Sequence, residues 1–228
     1  MTDRDQTPFW SYEDLAFLVA AILPSIFAGS LLVRLLGVTS KGAQTLVFQS
    51  SLIALLLAVL YFLVSWRYEM PFWESMGWSL PFRGAWWCLL GGPFLAIGGS
   101  VLGVILRAPE MPDPIKDLIT NRLSLVIVMI FVVGLGPLYE ELFFRGFLFP
   151  LFARTFGAAA GIFLSALPFA LLHGAQYQWA WQQMTLVGIA GAAFGFVRYK
   201  TGSTAAATIL HSCFNLTQFL AYLVLRAY

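Results

Sequence analysis

The sequence predicts an all-α fold, a polytopic bundle of seven to eight transmembrane helices in one domain spanning 1–228, with the chemistry on the C-terminal four. Three observations predict it. Of 228 residues, 60% are hydrophobic and 11% charged, and the mean hydropathy is +0.81, values that suit lipid rather than water. Charges are confined to short segments between long apolar stretches. Those stretches are close to the roughly 20 residues that a helix needs to cross a bilayer.

In chain order, the stretches without Asp, Glu, Lys or Arg are 15–33, 42–66, 84–106, 123–139, 155–197 and 201–225. The fifth is too long for one span. Its middle, residues 176–183 (Gln-Tyr-Gln-Trp-Ala-Trp-Gln-Gln), is polar and aromatic, as expected of an interfacial turn. Splitting there gives seven spans. An eighth arises if the helix carrying Glu140 re-enters, or continues separately through Pro150. Residues 67–83, with Trp73 and Trp78, read as an aromatic belt segment lying along the membrane surface. Residues 107–122 hold Pro109, Pro112 and Pro114 and read as a solvent loop. The motif-bearing core is 123–225.

Composition also narrows function. A net charge of +2 gives no nucleic-acid surface. The polar N-terminus, with Asp3 and Asp5, is not a cleavable signal sequence. Cys88 and Cys213 sit in apolar runs without partner spacing and read as small core hydrophobes. Lys and Arg divide nearly evenly between the two sides, Arg145 counted with the N-terminal side, so the positive-inside rule gives no orientation. The chain is expected to be an integral membrane protein of the plasma membrane.

Against this background a few polar residues stand out. Glu140 and Glu141 end the apolar run 123–139, and Arg145 follows. Charges at or within a span are costly and mark function. On a helix Glu141 and Arg145 are four apart and share a face, so they can pair. Glu140 lies about 100° round the helix and points elsewhere. One acid is thereby neutralised, and its neighbour is free to face a cavity. A carboxylate in a water-poor pocket is suited to take a proton from water.

The only two histidines, His173 and His211, fall in other apolar stretches. His173 follows Pro168 and precedes Gly174, which predicts a helix that ends just after it. Phe169 lies one turn earlier on the same face, where its ring can pack beside the imidazole. His211 and Asn215 form another i, i+4 pair, and donors preset in a water-poor site stabilise an oxyanion. Residues 202–208, rich in small side chains, predict close packing of that last helix. The two acids, the arginine and both histidines on three apolar segments point to one assembled pocket. Two other readings stay open: a proton-coupled transporter using these groups as a relay, and a membrane scaffold or immunity protein that binds a peptide without cutting it.

Glu140-Glu141…Arg145, Phe169…His173 and His211…Asn215 resemble the motifs EExxxR, FxxxH and HxxxN of the CPBP family. These are intramembrane proteases grouped as CAAX proteases and bacteriocin-processing enzymes, also called the Abi family. All three motifs occur in the family's order. The resemblance implies hydrolysis of a peptide bond within the membrane, in a protein or peptide substrate that one branch of the family takes in prenylated CAAX form. By the resemblance, Glu140 with His173 activates the attacking water, His211 and Asn215 stabilise the oxyanion, and Glu141 with Arg145 holds the helix and tunes Glu140. The family's metalloprotease label allows zinc on Glu140, His173 and His211. The same residues can be read as a glutamate-dependent site without metal, the reading that the chemistry favours.

Overall fold

The computed structural model describes residues 8–80, 85–111 and 118–226. The start of the chain with Asp3 and Asp5, together with Pro112 and Pro114, lies outside them. Among the described residues there are eight helices and no strand. They are α1 (Tyr12–Leu35), α2 (Lys41–Arg67), α3 (Phe72–Ser75), α4 (Ala85–Ile105), α5 (Arg122–Phe156), α6 (Ala158–Leu172), α7 (Trp181–Thr201) and α8 (Thr204–Arg226). α1 packs on α2, α4 on α8, and α6 on both α7 and the end of α5. The protein is a polytopic helical membrane bundle.

Five of these helices, α1, α2, α4, α5 and α8, are long and apolar enough to cross a membrane. The expected split of 155–197 does occur, at the turn before Trp181, and neither product is among these five. α6 has 15 residues, about 22 Å of helix against a hydrocarbon core of about 30 Å. α7 has 21 residues but includes Gln182, Gln183, Arg198 and Lys200. The eighth span does not form separately. α5 runs for 35 residues straight through Glu140 and Pro150, about 52 Å. Of the 67–83 segment, residues 81–83 lie outside the described residues, and in the described part Phe72, Ser75 and Met76 are buried against the rest of the protein.

Two prolines shape α5. Ile130–Leu135 and Leu142–Leu148 are wound one residue wider than an α-helix, and each stretch lies just before a proline, Pro137 and Pro150. A proline has no N–H to give, and its ring crowds the preceding turn. The Gly136 N–H bonds Phe131 O, and the next residue is Pro137. The Val132 carbonyl is therefore left without a helical donor. In the same way the Phe149 N–H bonds Phe144 O, Pro150 follows, and the Arg145 carbonyl is orphaned. An unmet carbonyl in lipid costs several kcal/mol. Both are met from other helices: Asn215 Nδ2 of α8 donates to Val132 O at 2.8 Å, and Arg198 Nε of α7 donates to Arg145 O at 3.2 Å.

Further contacts tie α8 to the segment after α3 and to α4, and α5 to the residues before α1. Ser203 caps α8 by accepting from the Ala206 N–H at 3.1 Å, and its hydroxyl donates to Ser79 O. Thr204 donates from Oγ1 to Met76 O at 2.6 Å and from its N–H to Gly77 O at 2.9 Å. The small residues 202–208 pack as expected, with Ala205, Ala206 and Ala207 buried. α4 approaches so closely that a Cβ on Gly92 would lie 2.5 Å from Cys213 Cβ. At the other end of the chain, the Trp10 indole donates to Phe147 O at 3.1 Å, and Arg154 holds the Pro8 and Trp10 carbonyls.

The α1–α2 pair is anchored where Tyr68 donates to Asp14 Oδ2 at 2.5 Å, a fully buried carboxylate that also accepts the Ser11 N–H. Burial, then the Asp14 hydrogen bond, pushes the Tyr68 phenol up to about 12. Tyr68→Phe should lower stability by about 1–2 kcal/mol, read as a fall in melting temperature in detergent. A folded value above the unfolded one of about 10 means that this stabilisation is complete below pH 10 and fades as pH climbs towards 12. The gap between parent and variant should therefore be constant near neutrality and close above pH 10.

Candidate active site

Arg145 shows what the winding of α5 accomplishes. Its side chain and that of Glu141 are both fully buried. Arg145 Nη1 donates to Glu141 Oε1 at 3.0 Å, as the i, i+4 spacing predicts. Nη2 donates to Gly191 O at 2.5 Å. The guanidinium carbon lies 4.7 Å from the centre of the Phe169 ring, 5.4 Å from Phe194 and 5.7 Å from Phe144. A planar cation that is weakly hydrated and able to stack is the group for such a cage. Gly191 is required there, since a Cβ would meet Phe169 Cδ1 at 2.9 Å and Arg145 Nη2 at 3.2 Å. Arg145 is thus no loop charge, and it does not belong in any count of basic residues on either side.

His211 joins both acids. Its Nδ1 lies 2.9 Å from Glu141 Oε1, and its Nε2 lies 3.7 Å from Glu140 Oε2. A carboxylate already bonded to Arg145 accepts from Nδ1–H, which leaves Nε2 turned to Glu140. At 3.7 Å that second contact is an ion pair when Nε2 is protonated, not a neutral hydrogen bond. The imidazole is stacked on Phe194 at 4.3 Å and 19°. Glu140 is the less buried acid, 16% exposed at its side chain, and accepts from the Tyr139 hydroxyl at 3.3 Å. Glu141 is thus paired with Arg145, while Glu140 is the more exposed of the two. His211, however, is shared between them, where the sequence pattern coupled it to Asn215.

His173 caps the C-terminal end of α6, between Pro168 and Gly174 as expected. Its Nδ1 is 2.8 Å from the Phe169 carbonyl. A carbonyl only accepts, so Nδ1 carries the proton and Nε2 presents a free lone pair. The Phe169 ring packs 4.8 Å from this imidazole and 5.8 Å from that of His211, and so stands between the two. Asn215 is directed elsewhere than expected: one of its amide hydrogens goes to Val132 O, joining α8 to the widened turn of α5. Among the described residues no group of three His, Cys, Asp or Glu is placed to hold one ion. Glu140, His173 and His211 are therefore not gathered into the three-donor set that a zinc site needs.

Several residues of this site carry no sequence signal. Phe194 and Gly191 are ordinary members of an apolar helix until the fold turns them to His211 and Arg145. Arg198 and Asn215 do have one, in retrospect. Pro137 and Pro150 within an apolar run each require a donor from outside the helix.

The comparisons with known proteins bear on this same segment. Residues 122–217 match the family model described as type II CAAX prenyl endopeptidase Rce1-like. No curated protein and no solved structure matches the chain. The matched segment contains Glu140, Glu141, Arg145, His173, His211 and Asn215. The C-terminal segment 122–217 of this integral membrane protein is thus similar to the Rce1-like family of type II CAAX prenyl endopeptidases.

Proposed function

We propose that the protein is an intramembrane endopeptidase that hydrolyses a peptide bond of a membrane-associated substrate with a glutamate-activated water, prenylated CAAX-type C-termini being the first substrates to try and the plasma membrane the expected location. One observation carries the reading: the outward-facing carboxylate of Glu140 beside His211 Nε2, with the far side of that imidazole clamped by the buried Glu141–Arg145 pair.

The chemistry runs on the chain's own protons. Glu140 takes one proton from a water whose oxygen attacks the scissile carbonyl carbon. His173 Nε2, an acceptor by virtue of the Phe169 carbonyl at Nδ1, orients that water. Protonated His211 donates from Nε2 to the oxyanion that forms, and Glu141 balances the imidazolium through Nδ1. When the tetrahedral species collapses, the C–N bond breaks and the proton on Glu140 passes to the leaving amine. No acyl-enzyme forms. Arg145 holds Glu141 in place through their ion pair, in a region where a lone buried charge would be strongly disfavoured.

Glu140→Gln is expected to cut kcat by about 10³-fold, with KM little changed, on farnesylated and unmodified C-terminal peptides. Cleavage at the parental rate by this variant would sink the mechanism. Arg145→Lys keeps the charge but cannot meet both Glu141 and Gly191 from the aromatic cage. It should lose about 2–3 kcal/mol of stability and most of the activity together. Activity should survive exhaustive chelation of the purified protein. A loss that added zinc restores would instead make Glu140, His173 and His211 ligands.

A further inference from the structure

Where α1 begins and α5 and α7 finish, the bundle encloses a cavity of about 550 Å³ that none of the motif residues lines. Its walls include Pro8 and Trp10 before α1, Gly77 after α3, Pro150 and Arg154 of α5, and Arg198 of α7. That volume falls in the range of about 300–1,000 Å³ typical of small-ligand sites. Because the walls are helix ends, the cavity sits at the level of lipid headgroups rather than of hydrocarbon. Trp66 and Trp73 are exposed at the same end of the bundle, as residues of an aromatic belt are.

Two arginines line this cavity. Arg198 Nε answers Arg145 O at 3.2 Å, and among the described residues neither of its Nη atoms has an acceptor. No described carboxylate lies within 4.0 Å of it. One N–H meets the carbonyl, so the hydrogens on Nη1 and Nη2 remain for a ligand. The chain keeps room for them. Gly77 has a φ of 66°, and a Cβ there would fall 2.4 Å from Arg198 Nη2. Arg154 gives its Nη atoms to the Pro8 and Trp10 carbonyls, neutral partners that leave its charge uncompensated. Glu74 also lines the cavity but pairs with neither arginine. Two guanidinium groups against one carboxylate leave the space net positive, and the half-buried Arg198 calls for an anion.

We propose that this cavity is a phosphate site that takes the headgroup of an anionic glycerophospholipid, with Arg198 as the donor fork and Arg154 as the second positive charge. The site is separate from the endopeptidase reading and does not depend on it. A planar guanidinium presents two parallel N–H groups at the spacing of two phosphate oxygens. Basic pockets between helices at headgroup depth are where lipid phosphates are held. An occupied site grips Arg198 from both ends, phosphate on one side and the Arg145 carbonyl on the other. The lipid thereby fastens α7 to α5 beside the polar cluster.

The test is a native mass-spectrometry titration of the full chain, delipidated in a neutral detergent. Three probes are compared: dioleoylphosphatidylglycerol, dioleoylglycerol with the same chains and no phosphate, and inorganic phosphate. The parent should hold one phosphatidylglycerol at least about tenfold more tightly than dioleoylglycerol. Arg198→Gln should lose about tenfold in that affinity, and Glu74→Gln, which removes the opposing charge, should gain severalfold. Ala158→Phe fills the cavity without altering its charge and should abolish the tight binding. The last two variants leave both arginines in place, so they decide the matter if Arg198→Gln fails to fold. Dioleoylglycerol bound as tightly as phosphatidylglycerol would overturn the proposal. So would parental phosphatidylglycerol affinity in both Glu74→Gln and Ala158→Phe. Inorganic phosphate bound as tightly as the lipid, and lost in Ala158→Phe, would overturn the lipid as the source and assign the site to free phosphate.

Discussion

A carbonyl that has lost its helical donor inside a membrane must find another, and two such carbonyls in α5 organise the half of this protein that carries the polar cluster. Pro137 and Pro150 create them, at Val132 and Arg145. Asn215 and Arg198 answer them from α8 and α7. Each of these bonds fixes the register of one helix against α5, and the register decides which side chains meet. With α8 held at Val132, His211 comes level with Glu141 and Glu140. With α7 held at Arg145, Gly191 and Phe194 come level with the guanidinium and the imidazole. The polar cluster is therefore not simply tolerated by the apolar bundle. It is aligned by the same hydrogen-bond requirement that forbids loose backbone in lipid.

The buried charges follow the same logic. Glu141 and Arg145 are fully enclosed, and each would be untenable alone. Together with Gly191 O, His211 and three aromatic rings they make a closed arrangement in which most of the polar atoms are met. Glu141 Oε2 and Arg145 Nε lack hydrogen-bond partners, which keeps the cluster dependent on its geometry. Glu140, one residue away, is spared this enclosure by the 100° step of the helix.

Much of this was legible in the chain. The i, i+4 pairing of Glu141 with Arg145 needs only helical geometry, and the end of α6 at His173 needs only Pro168 and Gly174. The polar, aromatic run at 176–183 does separate two helices. What could not be read is what depends on partners distant in sequence. Asn215 has the same spacing from His211 whether it faces an oxyanion or a carbonyl, and only the register of α8 on α5 decides. The widened turns of α5 are likewise decided by contacts, because a proline in an apolar run can end a helix, kink it or widen it. Hydropathy alone also says little about α6 and α7. It counts α6 and α7 as crossings, although α6 is short and α7 is studded with polar groups at both ends.

The Trp10–Phe147 bond joins residues 137 apart, and Glu141 meets His211 across 70. Both contacts close late in the life of the chain. A ribosome delivers α1 to α7 to the membrane before His211 exists, and until then Glu141 lacks its imidazole partner. The arrangement behaves as a timer set by translation: the polar cluster cannot be complete before the arrival of the last helix. On the mechanism proposed above, a half-made copy passing through the insertion machinery, surrounded by other nascent peptides, is chemically silent.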